Sequence, residues 1–179
     1  MTENKPATSH DKNRKRIRFV VVNGLIAAAY VVLTAPFANI AFGPIQFRIA
    51  EVLAVLPIFS AATIPGVTLG CFLANLLNPN NLGPVDIIGG SLATLIAGFF
   101  SWLIGKKNKP LGIIPPIVAN GLIVGGYLPF LLVDEMGPVT IQAIGISMLS
   151  VAGSEAVLLV ILGLPLIAVI AKTKIKDLL

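Results

Sequence analysis

The chain has 179 residues, of which 56% are hydrophobic and 12% are charged, and its 13 Lys and Arg against 8 Asp and Glu give a net charge of +5. So little polar surface cannot cover a water-soluble globule, and the composition therefore predicts an integral membrane protein. With one Cys and one His, the chain cannot form an internal disulfide framework, and it offers no clustered His or Cys ligands for a transition metal and no nucleophile–base pair inside the membrane. We therefore expect no metal, no cofactor and no enzymatic activity.

Twelve of the thirteen basic residues lie in three blocks, at residues 5–18, 106–109 and 172–176, and the thirteenth is Arg48. Basic blocks between long apolar stretches mark the cytoplasmic side of a multispanning protein. If the three blocks share a side, both termini are cytoplasmic, 110–171 holds two membrane crossings and 19–105 holds two or four. The length of 19–105 and the turn-rich stretches that interrupt it favour four. At a membrane edge such residues attract anionic lipid, so the positive charge does not indicate nucleic-acid binding.

In chain order, the sequence predicts a polar, disordered tail at residues 1–16, a membrane domain at 17–172 and a cytoplasmic tail at 173–179. The predicted helices are 17–35, 46–59, 62–77, 85–104, 111–133 and 139–171, separated by turn-rich stretches. The second and third helices are shorter than the bilayer, which takes about 20 helical residues. We expect them to tilt or to be shielded by neighbours. The fold class is thus an all-α integral membrane bundle of six helices.

Small residues line one part of the first helix. Gly24 and Ala28 are four residues apart, and Ala27 and Ala29 lie beside them. Small residues at this spacing let a second helix approach closely. The helix that packs against these small residues could belong to an external partner or to the same chain, and the pattern alone favours neither.

The charged residues inside apolar segments are the strongest functional signal. Arg48 and Glu51 are three residues apart and share a helical face, which fits either a mutual ion pair or part of a polar site. Glu155 has no basic residue within a helical turn, and an isolated intramembrane carboxylate is a candidate functional residue. Asp86 opens the fourth helix, where it could stabilise the helix N-terminus or face a ligand.

Neutral polar residues accompany these charges. Together they predict an outward-facing polar pocket, formed by Gln46, Arg48, Glu51, Asn75, Asp86, Asn120, Gln142 and Glu155. A carboxylate offers two acceptors to a ligand edge with two adjacent N–H donors, as on a guanine-like ring, and an amide can read the neighbouring carbonyl. An amine or an amino acid would suit the same groups.

The sequence contains no phosphate-binding loop of the G-x-x-x-x-G-K-[ST] type. Uphill transport of a solute would therefore depend on an ion gradient or on partner subunits that hydrolyse ATP.

Residues 42–57, with the sequence FGPIQFRIAEVLAVLP, resemble the substrate-binding S components of energy-coupling factor (ECF) vitamin transporters, in particular the queuosine-precursor (QueT) subfamily. IPGVTLGC at 64–71, LANL at 73–76 and GPVDI at 83–87 add to this resemblance, which extends over about residues 17–172. It implies a six-helix S-component fold in a bacterial cell membrane, with an outward ligand site capped by the first and third outer loops.

The resemblance also implies partners and a substrate. The partners would be a membrane T component, docked on the first helix through Gly24, Ala27 and Ala28, and two cytoplasmic ATPases. The substrate would be a 7-deazaguanine precursor of queuosine, with Glu51 or Glu155 on its donor edge and Asp86 on a cationic aminomethyl group. Alternatives are an S component for another vitamin or nucleobase-like solute and a solitary ion-coupled carrier.

Overall fold

A computed structural model describes residues 9–37, 46–78 and 82–178, and every regular element in these ranges is helical. The main helical segments, labelled α1 to α6 in chain order, are Ser9–Phe37, Ile49–Ile58, Ala61–Leu77, Pro84–Gly105, Pro110–Leu131 and Ile141–Lys172. Short helices at Val133–Met136 and Lys174–Asp177 follow α5 and α6. The predicted all-helical fold is confirmed.

Segments α1, α4, α5 and α6 are long and apolar enough to cross a membrane, whereas α2 and α3 are shorter apolar helices. This pattern agrees with the predicted shortness of the second and third helices. Residues 38–45, between the first and second predicted helices, and residues 79–81, between the third and fourth, lie outside the described residues, as do residues 1–8 of the predicted tail.

Helix α1 begins at Ser9, well before the predicted start at Ile17. Residues 9–16, which the sequence assigns to a disordered tail, are thus helical in the structure. The segment contains several Lys and Arg residues, which favour helix, and Asp11 lies in the first turn, where a carboxylate stabilises the positive end of the helix dipole.

The ten residues of α2 have 3-10 geometry and most of them are buried. Their carboxyl end fits between α4 and α5, because a Cβ on Gly105 would lie 2.8 Å from Ile58 Cγ2 and one on Gly112 would lie 2.7 Å from Ile58 Cγ1. Glycine at these two positions leaves the space that Ile58 occupies. Segment α2 is thus held inside the bundle, where its first turn positions Arg48 and Glu51.

Helices α1 and α3 pack closely through two glycines. A Cβ on Gly70 would lie 2.6 Å from Tyr30 Cβ, and one on Gly66 would lie 2.7 Å from Asn23 Oδ1. Asn23 Nδ2 also donates to the Ala62 carbonyl at 2.9 Å. This contact fixes Tyr30 against α3 with no exposed surface.

Candidate functional site

Five of the predicted polar residues line one cavity inside the bundle. Gln46, Arg48 and Glu51 approach it from the start of α2, Asn120 from α5 and Glu155 from α6, with Val124 and Val151 completing the wall. All five polar side chains are buried. The cavity has about 10 Å³ open to the centres of water molecules, which is room for about one water.

Glu51 is held by two groups from different parts of the chain. The Tyr30 hydroxyl on α1 donates to Glu51 Oε1 at 2.6 Å. Arg48 Nη1 lies 3.9 Å from the same oxygen, so the ion pair expected from the i, i+3 spacing is present at the long end of the contact range. Arg48 Nη1 also donates to Cys71 Sγ on α3 at 3.5 Å.

Asn120 and Glu155 lie beside irregular turns of their helices. Asn120 opens a π-helical turn, Asn120–Val124, and Glu155 precedes another, Leu159–Gly163. Such turns are frequent at functional sites because they redirect side chains. Asn120 and Glu155 both line the cavity.

Gln46 is tied to α6 through its backbone. The Ser154 hydroxyl donates to the Gln46 carbonyl at 2.6 Å, next to Glu155 in the sequence. This bond fixes the start of α2 against α6 and leaves the Gln46 side chain directed at the cavity.

Gln46 Nε2, Glu51 Oε2 and Glu155 Oε1 are buried at the cavity and have no hydrogen-bond partner among the described residues. Buried polar atoms are nearly always paired, because an unpaired one loses its hydration without compensation. One donor and two acceptors around a cavity therefore fit a site that is completed by a ligand.

Asp86 and Asn75 form a second polar cluster, between α3, α4 and α5. Tyr127 of α5 donates its hydroxyl to Asp86 Oδ1 at 2.7 Å, and Asn75 Nδ2 donates to the Asp86 carbonyl at 3.0 Å. Asn75 and Asp86 have no exposed surface, and neither Asn75 Oδ1 nor Asp86 Oδ2 has a partner among the described residues. The carboxylate thus faces across the bundle to Tyr127.

Gln142 also belongs to the predicted pocket, but its side chain is exposed near the start of α6 and does not line this cavity. The inward face of α6 instead contains Ser147, Val151 and Glu155, at the four-residue spacing of one helix face. Gln142 falls one residue before the next position of this series. Counting back from Glu155 in steps of four residues predicts Ser147 on the inward face.

Sequence reasoning also missed the two tyrosines that hold the carboxylates. Tyr30 lies 21 residues from Glu51 and Tyr127 lies 41 residues from Asp86, so no local pattern links either pair. A tyrosine within an apolar span needs a hydrogen-bond partner for its hydroxyl. This requirement is the one feature of the sequence that points to Tyr30 and Tyr127 as partners of buried acids.

The small residues of α1 divide between two faces. Gly24 and Ala28 are exposed, and a Cβ on Gly24 would meet nothing within 4 Å. Ala27 is 3% exposed and lies against Gly70 of α3. Ala27 thus packs inside the bundle, whereas Gly24 and Ala28 are the members of the predicted docking set that lie on the exposed face of α1.

Comparison with known proteins gives a consistent family. The family model described as QueT transporter matches residues 20–172. The protein named "Queuosine precursor transporter QueT" from Lactococcus lactis subsp. cremoris (strain MG1363) is 39% identical over 79 residues, which cover 43% of this chain and 45% of that protein. The similar region thus spans less than half of either protein. No solved structure gives a significant match.

Proposed function

The chain belongs to the QueT transporter family, and from this membership we propose that it captures a queuosine precursor, a 7-deazaguanine such as preQ0 or preQ1, from outside a bacterial cell. The relative from Lactococcus lactis is named for transport of such a precursor. The four long apolar helices of this chain fit a multi-pass protein of the cell membrane.

The observation that supports this proposal best is the set of unpartnered atoms around the cavity. A 7-deazaguanine ring has two adjacent N–H donors, which match a carboxylate, and a neighbouring carbonyl, which matches an amide N–H. Glu51 Oε2 or Glu155 Oε1 would accept from the donors, and Gln46 Nε2 would donate to the carbonyl. Arg48 and Asn120 would support these contacts from the cavity wall.

The second cluster would bind a substituent of the ring. Asp86 Oδ2 and Asn75 Oδ1 are both acceptors, so they suit a group that donates only, such as the protonated aminomethyl group of preQ1. With space for about one water in the cavity, ligand entry would displace side chains that now fill the centre of the bundle.

The same proposal includes the topology and the source of energy. Segments α2 and α3 would complete a six-helix S-component fold with cytoplasmic termini. The exposed face of α1 with Gly24 and Ala28 would contact a T component, and two ATPases bound to it would drive reorientation of the chain. The absence of a phosphate-binding loop from the sequence favours such partners as the site of ATP hydrolysis.

The test is uptake of labelled preQ1 by vesicles that contain the chain with or without a T component and an ATPase pair. We expect uptake only when the T component and both ATPases are present and ATP is enclosed in the vesicles, whose interior corresponds to the cytoplasm. Uptake by the chain alone, driven by a proton or sodium gradient, would favour a solitary ion-coupled carrier. ATP-dependent uptake of a different vitamin or nucleobase would keep the mechanism and change the substrate.

A further inference from the structure

The chain contains two tyrosines, and both donate their hydroxyl groups to buried carboxylates. Tyr30 donates to Glu51 Oε1 at 2.6 Å and Tyr127 donates to Asp86 Oδ1 at 2.7 Å. Both distances lie within the range of charge-assisted O–H···O⁻ hydrogen bonds, about 2.5–2.7 Å. The two pairs use different helices, since the first joins α1 to α2 and the second joins α5 to α4.

In both pairs the tyrosine occupies one oxygen of the acid and leaves the other without a partner among the described residues. The remaining atoms are Glu51 Oε2 and Asp86 Oδ2, and both are buried. Each acid is thus fixed by one oxygen while the second stays available as an acceptor. This is the arrangement that a ligand donor group requires.

The buried acids outnumber the basic residues near them, which suggests a role for the two tyrosine hydroxyls. Glu51, Asp86 and Glu155 are buried, whereas Arg48 is the one Lys or Arg between residues 19 and 105, and 110–171 contains none. An apolar environment disfavours an ionised carboxylate, and a donated hydrogen bond favours it. One guanidinium cannot balance three ionised acids, so a buried acid that is ionised here needs further donors, and the two tyrosine hydroxyls are such donors.

We propose that Tyr30 and Tyr127 are positioning residues that hold Glu51 and Asp86 as oriented anions, ready to accept hydrogen bonds from the transported ligand. The inference deepens the proposed function and rests on it for the identity of the ligand. Glu155 serves as an internal comparison, because both tyrosine hydroxyls of the chain donate to the other two acids.

The packing of the two rings lets the hydroxyl groups be tested separately from the rings. A Cβ on Gly70 would lie 2.6 Å from Tyr30 Cβ, and one on Gly89 would lie 2.7 Å from Tyr127 Cε1. Both rings are thus seated against glycines. Tyr30→Phe and Tyr127→Phe keep the seated ring and remove only the donor.

The first readout is the affinity of the purified chain for preQ1. We expect each Phe variant to bind about 10- to 100-fold more weakly, which is the effect of losing one hydrogen bond to a charged group. The matched control is Thr34→Val on α1, because the Thr34 hydroxyl is buried and bonds the Tyr30 carbonyl within its own helix. Its affinity should stay within about twofold of the unmodified chain.

The second readout needs no ligand. Infrared difference spectra of each Phe variant against the unmodified chain should show a new band of a protonated carboxyl group. For Tyr30→Phe this band should disappear when Glu51→Gln is added, and for Tyr127→Phe it should disappear when Asp86→Asn is added. A tyrosine that only fills space would produce no such band.

Phe variants with unchanged affinity, or with no carboxyl band, would overturn the inference. If the unmodified chain does not bind preQ1 at all, the substrate assignment fails, and the infrared spectra alone decide the role of the tyrosines. The two failures are therefore distinguishable.

Discussion

At the scale of single residues, Glu51, Asp86 and Glu155 each have a buried carboxyl oxygen without a hydrogen-bond partner among the described residues. Glu155 differs from Glu51 and Asp86, because neither tyrosine hydroxyl donates to it and no basic residue lies within a helical turn of it. Its Oε1 atom lies at the cavity. We therefore expect the acceptor oxygens of Glu155 to matter more for the ligand than for the fold.

Replacing Glu155 by Gln should weaken binding of the deazaguanine about 10- to 100-fold, because an amide offers one acceptor oxygen and an NH₂ donor where the carboxyl group offers two oxygens to the donors of the ring. The unfolding temperature of the ligand-free protein should change little, since Gln has nearly the same size and shape and Glu155 Oε1 has no hydrogen-bond partner among the described residues. Titration and thermal unfolding of the same preparation measure both effects. Gln142→Ala, on the exposed start of α6, is the control, and normal affinity in Glu155→Gln would remove this residue from the site.

Some of the site could be predicted from the sequence and some could not. Arg48, Glu51 and Glu155 stand out because a charge in an apolar span has few explanations. Tyr30 and Tyr127 do not stand out, since a tyrosine is common near membranes and its partner is far away in sequence. The position of Gln142 outside this cavity could not be predicted, because its face of α6 depends on the helix rotation, which neighbouring polar residues determine.

At the scale of helices, the contact between α1 and α3 connects the fold to the site. Gly66 and Gly70 allow α1 to approach until Tyr30 reaches Glu51. The opposite face of α1, with Gly24 and Ala28, stays exposed. One helix thus supplies a residue to the ligand site and presents a separate surface to its surroundings.

Gly70→Ala should lower the free energy of unfolding by about 1–3 kcal/mol, because the added Cβ would meet Tyr30 Cβ at 2.6 Å. Ligand affinity should fall as well, since Tyr30 would be pushed from Glu51. Denaturation in detergent measures the first effect and titration the second. In Gly145→Ala the new Cβ meets nothing within 4 Å, so that variant should be at least as stable as the parent. Equal stability of the two variants would contradict the packing.

Ala27→Leu and Ala28→Leu place the same bulk on opposite faces of α1. Ala27 is 3% exposed and Ala28 is exposed, so the first change should destabilise the fold by about 1–3 kcal/mol. The second should leave the fold and ligand binding intact and reduce co-purification with a T component. If Ala28→Leu co-purifies normally, the docking face lies elsewhere.

The helix boundaries show why the element level was easier to predict than the site. Pro84 begins α4 and Gly105 ends it, close to the predicted 85–104, because proline and glycine have strong local preferences. The 3-10 geometry of α2 was not predictable, since it depends on the fit of Ile58 between Gly105 and Gly112. The ends of α4 thus follow from residues that are local in the sequence, whereas the 3-10 geometry of α2 follows from its packing against α4 and α5.

At the scale of the whole molecule, the basic blocks predict which side of the membrane each loop occupies. Loop 106–109 and the C-terminal segment are basic, whereas the loop between α5 and α6 contains Asp134 and Glu135. This distribution predicts an outward-facing acidic loop and cytoplasmic basic loops.

Single-cysteine labelling in cells should confirm this topology. Glu135→Cys should react with a membrane-impermeant maleimide from outside, and Lys107→Cys should react only after the membrane is opened. The native Cys71 has no exposed surface, so its background should be low, and a Cys71→Ser parent controls for it. Labelling of Lys107→Cys from outside would invert the topology and move the site to the cytoplasmic half.

The most direct test of the central claim is an equilibrium calorimetric titration of the purified chain, without partners, using preQ0 and preQ1 beside guanine, riboflavin, thiamine and biotin. We expect saturable one-to-one binding of a deazaguanine alone, lost or strongly weakened when the cavity acids Glu51 and Glu155 are changed to Gln. Binding of none of these compounds, or equal binding by the Gln variants, would contradict the claim that this buried cluster recognises a queuosine precursor.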